Sequence, residues 1–145
     1  MAYKESTEAS DLMNVFKGHF WAISRSVGYG CPNNFDDVLL IQFLLNSVMN
    51  KTKLDLDGKF GSKTYNRIKS FQRWANLVNG ESVLAYDGTV TAVDGSEKSY
   101  TSIKGMFTIH LLNAWYLQKF KNYFEDIRRD PAIPNDLRHL LMVSI

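Results

Sequence analysis

The 145-residue sequence predicts an all-α fold: a core of three helices, helical extensions at both ends, and one small β-hairpin near residues 83–93. Apolar residues recur at three- and four-residue spacing through most of the long stretches, the period of a helix with one buried face. Glycine, proline and asparagine gather between those stretches, and only one short region rich in Val, Thr and Gly leaves the helical period. These observations divide the chain into an N-terminal helical extension over 1–34, a main domain over 35–128 and a short C-terminal helix within 129–145.

The first nine residues are polar and read as loose. From Ser10 a helix is expected, with Ser10 as its cap, Asp11 at its positive end, and Leu12, Val15, Phe16, Phe20 and Ile23 at helical spacing. Gly28 to Asn34 ends that pattern with two glycines, a proline and two asparagines. A second helix is expected from Asp36 to Met49, with Val38, Ile41, Leu44, Leu45 and Val48 as its core stripe. After the loop from Asn50 to Gly61, Ser62 is expected to cap a third helix carrying Tyr65, Ile68, Phe71, Gln72 and Ala75.

Residues 83 to 93 have the form of a hairpin, because Asp87-Gly88 suits a two-residue type I′ turn between Val83–Tyr86 and Thr89–Val93. A long helix is expected from about Ser99 to Arg128, bent or started at Gly105. It has one stripe through Ile103, Phe107, His110, Ala114, Leu117, Phe124 and Ile127, and a second through Ile109, Leu112, Tyr116, Phe120 and Tyr123. Pro131 and Pro134 close it, and Asn135 is expected to cap a last helix with Leu137, Leu140 and Leu141.

Composition narrows the function classes. A net charge of +2 is too small to suggest a nucleic-acid partner, and Lys119, Lys121, Arg128 and Arg129 sit among acidic neighbours as a solvated helix face would. No apolar run approaches the ~18–20 residues of a membrane span, so no membrane partner is expected. The start, Met1 to Glu8, lacks the basic and apolar regions of a secretory signal, so the chain is expected in the cytoplasm as synthesised. A single cysteine, Cys31, excludes an internal disulfide.

The most informative stretch runs from 38 to 90. Val38-x-x-Ile41-Gln42-x-x-Leu45 is followed by Asp57-Gly58-Lys59-Phe60-Gly61-x-x-Thr64-x-x-x-Ile68-x-x-Phe71-Gln72, then Leu77, then Asp87-Gly88-Thr89-Val90. Read physically, Gly58 and Gly61 serve a tight turn, Asp57 accepts backbone N–H groups in it, and Phe60 plugs the space between two helices. Ser62 or Thr64 bonds the free N–H groups that open the third helix, and Gln42 and Gln72 tie buried backbone groups to their helices.

This pattern resembles the peptidoglycan-binding domain family: a first helix with an apolar-x-x-Leu-Gln-x-x-Leu core, a D-G-x-F-G turn, a T-x-x-x-[VI]-x-x-F-Q helix and a second D-G-x-V turn. The likeness covers roughly the middle 40% of the chain. It departs from the compact family pattern in the longer spacing between Phe71-Gln72 and Asp87-Gly88, in the displaced helix that follows, and in the additions at both ends.

The resemblance implies a small three-helix module that binds bacterial cell-wall peptidoglycan or its stem peptide without catalysis. Modules of this kind sit beside a cell-wall hydrolase or are carried by a phage lysis or secretion system, so an effector or other protein is a further partner class. The contacts it implies lie near the D-G-x-F-G turn. Lys59, Lys63 and Arg67 would pair with stem-peptide carboxylates, Asn66 stands beside them, and Tyr65 would lie on a sugar ring or peptide.

Enzymatic readings find little purchase. His19, His110 and His139 are far apart with no paired-ligand spacing, so neither a catalytic metal nor any other cofactor is expected. Cys31 precedes Pro32 in a turn, several residues before the next helix, a poor place for a nucleophile. Glu8, Glu81, Asp87 and Glu125 include no marked pair for glycoside hydrolysis. The alternative function is that of a scaffold or adaptor binding a protein partner or dimerising, for which an uncovered stripe of Tyr116, Phe120 and Tyr123 would be the surface.

Overall fold

A computed structural model of the protein describes residues 2–6, 19–80, 82–93 and 107–144. Within them the chain is mostly helical, with five helices and one two-stranded antiparallel ribbon. No described helix is long and apolar enough to cross a membrane.

The ribbon is the first departure from expectation. Tyr3–Ser6 forms strand β1 and His19–Ala22 forms strand β2, paired from Tyr3 opposite Ala22 to Ser6 opposite His19. A helix reaching Phe20 and Ile23 is therefore corrected to a strand, while the expected stretch 10–18 lies outside the described residues. The physical reason is burial on both sides: His19 through Ile23 are all buried, which one helical face cannot provide. The backbone of β2 is satisfied on one edge by β1. On the other, the Asn113 side-chain amide accepts from Trp21 N–H at 2.7 Å and donates to Trp21 C=O at 2.8 Å.

Helix α1, Phe35–Val48, is the central element and packs against α2, α3 and α5, whose ranges follow. Eleven of its residues are buried, more than the predicted stripe, because neighbours surround it. Its two first-turn carboxylates fasten the N-terminal segment. Asp36 accepts from Ala2 N–H at 2.7 Å, and the buried Asp37 accepts from Ser24 and Arg25. Helix α2, Ser62–Asn79, is one-sided, burying Thr64, Ile68, Phe71, Gln72 and Ala75. Its N-cap is Gly61 rather than Ser62, with no capping side chain, and it ends at Gly80 in the left-handed conformation.

The hairpin expected over 83–93 does not form. Asp87-Gly88 does make a turn, but the Gly88 N–H is bound by Gln72, and Val90 instead makes an isolated antiparallel bridge with Val27. The long helix expected from Ser99 is likewise shorter. Its part from 99 to 106 lies outside the described residues, and beyond them α3 spans Thr108–Lys119 and stops at Phe120, whose φ and ψ are −133° and 49°. A short α4, Lys121–Phe124, and a 3-10 turn, Ile127–Arg129, follow.

Two long-range demands account for the break. The Phe124 carbonyl accepts from Trp21 Nε1 at 2.8 Å, and the Tyr116 hydroxyl donates to Asp130 at 2.7 Å. The stripe containing Tyr116, Phe120 and Tyr123 is thus not an open surface. Tyr116 is fully buried, and the other two are half-buried against the core.

Helix α5, Asn135–Ser144, begins on Asn135 itself, whose side chain accepts from Arg138 rather than capping the helix. One apolar cluster runs from Ala2 through α1 and α3 to Leu141.

Candidate functional site

Two buried glutamines organise the middle of the chain. Gln42, on α1, places Nε2 3.1 Å from each of Asp57 Oδ1, the Lys59 carbonyl and Thr64 Oγ1, and its Oε1 accepts from Gly58 N–H at 3.0 Å. Gln72, on α2, repeats the arrangement: Nε2 lies 3.1 Å from Asp87 Oδ1, the Thr89 carbonyl and Thr108 Oγ1, and Oε1 accepts from Asp87 and Gly88. Two amide hydrogens are shared among three oxygens in each case, so the buried amide of each glutamine is fully used in bracing its turn.

An asparagine one turn later completes each unit. Asn46 exchanges two bonds with the Leu54 backbone, and Asn76 does the same with Leu84 while also accepting from Val83.

Up to the turn the two units are offset by thirty residues: Phe35 with Tyr65, Gln42 with Gln72, Asn46 with Asn76, Leu54 with Leu84, Asp57-Gly58 with Asp87-Gly88; only the threonine that closes each, Thr64 or Thr108, breaks the spacing. Gly58 and Gly88 have φ of +67° and +72°, and a Cβ would collide with the Phe35 ring at the first and the Tyr65 ring at the second. Each turn thus needs glycine for its φ and for the aromatic ring lying on it. The shared spacing is visible in the sequence, yet it was the hydrogen-bond pattern that made the internal repeat evident; Asn46 and Asn76 are the members that motif reading passed over.

In the first unit, Asp57 has its carboxyl held below the usual range, first by the Lys59 N–H and then by the Gln42 amide. Thr64 takes the Gln42 amide and is not the helix cap, and Phe60 is half-buried at the edge of the core rather than sealed inside it.

Around this unit lie two adjoining grooves. The first, about 280 Å³, is lined by Gln42, Leu54, Asp55, Asp57 and Lys59 to Thr64. The second, about 390 Å³, is lined by Lys51 to Asp55 together with Lys63, Asn66, Arg67 and Ser70. Leu54, Asp55 and Lys63 belong to both.

Of the residues expected to contact a ligand, Lys59 lines the first groove, Asn66 and Arg67 the second, and Lys63 both. Tyr65 lines neither; it lies over Gly88 with its ring 4.7 Å from that of Tyr29. Arg67 also has a structural duty, donating Nη1 to the Thr52 carbonyl at 2.8 Å, and Lys53 donates to the Asn46 carbonyl at 2.6 Å. Sequence reading missed Lys51, Lys53, Asp55 and Ser70 as groove residues. The basic Lys51-Thr52-Lys53 run ahead of the turn was the available signal.

The first groove includes the start of α2. That helix has neither a capping side chain nor an acidic residue in its first turn, so the partial positive charge of its N-terminal end is not neutralised from within.

Elsewhere, His110 is fully buried, with its ring edge-on to Phe20 and Phe107, and burial pushes its pKa down to about 4. Cys31 is half-exposed in a turn. Among the described residues no three His, Cys, Asp or Glu side chains converge in a way that could hold a metal ion. Comparison with protein-family models, with curated proteins and with solved structures finds no match to this chain.

Proposed function

We propose that this chain is a non-catalytic module that binds bacterial cell-wall peptidoglycan, seating the carboxylates of its stem peptide in the paired grooves beside the start of α2. The observation that carries the reading is the gathering of Lys51, Lys53, Lys59, Lys63 and Arg67 around those grooves, with Asp55 and Asp57 as the acidic counterpart. Cations beside an uncompensated helix N-terminus suit a peptide with several carboxylates. The resemblance of Asp57 to Gln72 to the peptidoglycan-binding motif supports the same reading, with α1, α2 and α3 as the three-helix core. A wall ligand would place the protein's site of action outside the cytoplasmic membrane, and a phage lysis system or a secretion machine is one route of delivery.

The test is co-sedimentation with purified sacculi, paired with titration of a synthetic stem pentapeptide followed by amide NMR. Retention on sacculi and shifts at Lys59, Lys63 and Asn66 are expected, both weakened by Lys63→Glu. Retention no greater than that of an unrelated protein of similar charge would sink the proposal.

One observation favours a second reading, a scaffold or adaptor. In the first unit, Phe43, Asn46, Ser47 and Leu56 share a groove with Lys119, Phe120, Asp130 and Ala132 from later in the chain. Their counterparts Arg73, Asn76, Leu77 and Tyr86 line a groove of about 340 Å³ without any such later segment among the described residues. Leu77 there is 70% exposed beside an exposed Val78. Light scattering across a concentration series discriminates: self-association abolished by Leu77→Lys supports this reading, and a monomer throughout argues against dimerisation.

A further inference from the structure

The surface on the other side of α2 from the cationic grooves carries a run of aromatic rings. Tyr29 is 61% exposed and lies edge-to-face on Phe60, with centroids 5.1 Å apart, and tilted on Tyr65 at 4.7 Å. Lys69, one turn along α2 from Tyr65, places Nζ 5.5 Å from the Tyr65 ring and 4.2 Å from that of Tyr86, which is itself 54% exposed. The strip therefore runs from Phe60 through Tyr29, Tyr65 and Lys69 to Tyr86. Two of its members are large rings left in water.

The backbone under the exposed rings is fixed rather than loose. The turn bearing Tyr29 is closed by Cys31 N–H on the Gly28 carbonyl. Asn33 accepts from Gly28 N–H and donates to the Gly28 and Cys31 carbonyls. The turn bearing Tyr86 lies between Leu84, held by Asn76, and Asp87-Gly88, held by Gln72. Rings presented on rigid turns lose little conformational freedom on binding.

We propose that this strip is a stacking platform for a saccharide chain, with sugar rings laid on Tyr29 and Tyr86 and hydroxyl groups meeting the phenol oxygens and the Lys69 amine. The inference rests on the peptidoglycan reading, which it extends by assigning the glycan strand a place distinct from that of the stem peptide. Tyrosine offers an apolar face with a polar edge, the match for a sugar ring whose C–H face is apolar and whose rim is hydroxylated.

Charge separates this ligand from a single-stranded nucleic acid, which aromatic platforms also bind. Such platforms pair their rings with a basic groove following the phosphates along their length, whereas the cations along this strip are Lys69, already seated over two rings, and Arg73 beside Tyr86, and Phe60 is its one member that lines a cationic groove. Phe60 belongs both to the strip and to the first groove, so a sugar chain on the rings would bring a branching peptide to the groove's rim.

The experiment is a calorimetric and NMR titration with a hexamer of β-1,4-linked N-acetylglucosamine, the stem pentapeptide and a single-stranded oligonucleotide, run beside sacculus co-sedimentation. The wild type is compared with Tyr29→Ala, Tyr86→Ala, Tyr29→Phe, Tyr86→Phe and Lys63→Glu. Expected are saccharide-induced shifts at Tyr29, Lys69 and Tyr86 and about tenfold weaker saccharide binding in each alanine variant, the size of one lost stacking contact. Binding should be largely kept in the phenylalanine variants, and pentapeptide binding should not change.

No saccharide binding, equal binding by the alanine variants, or tyrosine-dependent binding of the oligonucleotide alone overturns the inference. Sacculus binding lost in Lys63→Glu but untouched in both alanine variants overturns it while leaving the peptide reading intact. Saccharide bound through the tyrosines without sacculus retention leaves the platform standing and removes the peptidoglycan reading.

Discussion

The amide nitrogens of Gln42 and Gln72 each stand 3.1 Å from a carboxylate, a backbone carbonyl and a threonine hydroxyl, on helices that follow one another in the chain. Each amide oxygen holds the N–H of the left-handed glycine in the turn that follows. Replacing either glutamine by leucine takes this partner from the buried glycine N–H and the buried threonine hydroxyl of its unit. A loss of roughly 2–4 kcal/mol is expected in urea unfolding. Gln72→Glu should be less stable than wild type at neutral pH, because its charge meets Asp87, and should recover toward pH 5 as one carboxyl takes a proton.

Glycine substitution separates strain from collision. Gly30 has φ of +75° with open space where a Cβ would sit, so Gly30→Ala should cost only about 1 kcal/mol, the penalty of the left-handed conformation. Gly88→Ala has the same backbone penalty plus a clash with the Tyr65 ring, and should cost more than 2 kcal/mol. Thermal unfolding of the two variants side by side checks the difference, and similar losses would argue against the ring lying on the turn.

Acid should weaken the fold through its histidines. The neutral form of His110 is favoured in the folded state, where burial lowers its pKa from 6.5 to about 4. Unfolded chains therefore bind a proton that folded ones refuse, and stability falls as pH drops from about 6.5 to about 4, by roughly 3 kcal/mol in all. His19, lowered chiefly by burial, acts in the same direction. His110→Leu should flatten the pH dependence of the urea midpoint in this window; an unchanged slope would show that other groups set it.

The Tyr116 hydroxyl donates to Asp130, which is itself buried, and burial followed by that bond pushes the phenol's pKa far above its ordinary value. Tyr116→Phe removes the donor but leaves the carboxylate, so a loss of about 2 kcal/mol is expected. The same change should loosen the joint between α3 and the C-terminal segment, seen as faster amide exchange at Asp130 and Ile133.

Helices α1 and α2 were legible because periodicity, punctuation and acidic first-turn residues agree over 35–48, and periodicity and glycine boundaries agree over 62–79. Other elements depended on distant partners. Phe16, Phe20 and Ile23 fit a helix by spacing, but β2 is set by β1 and by Asn113, which is 92 residues from Trp21. Asp87-Gly88 carries hairpin chemistry locally, yet its Gly88 N–H goes to Gln72, 16 residues back. The break at Phe120 follows from what Trp21 and Asp130 require of the chain around it.

At the site, charged residues near the turn could be named in advance. Their division between two grooves and an aromatic strip could not, since it depends on which way each residue of α2 faces.

Each glutamine brace borrows its threonine from the following helix, and this gives the chain an order of completion. The first brace spans 22 residues and has all its parts once Thr64 has been synthesised, whereas the second spans 36 and must wait for Thr108. The clamp of Asn113 on Trp21 closes over 92 residues, so β2 is made early and fixed late. Of these long-range ties, the one that fixes the second edge of β2 is therefore the last whose partners have all been synthesised.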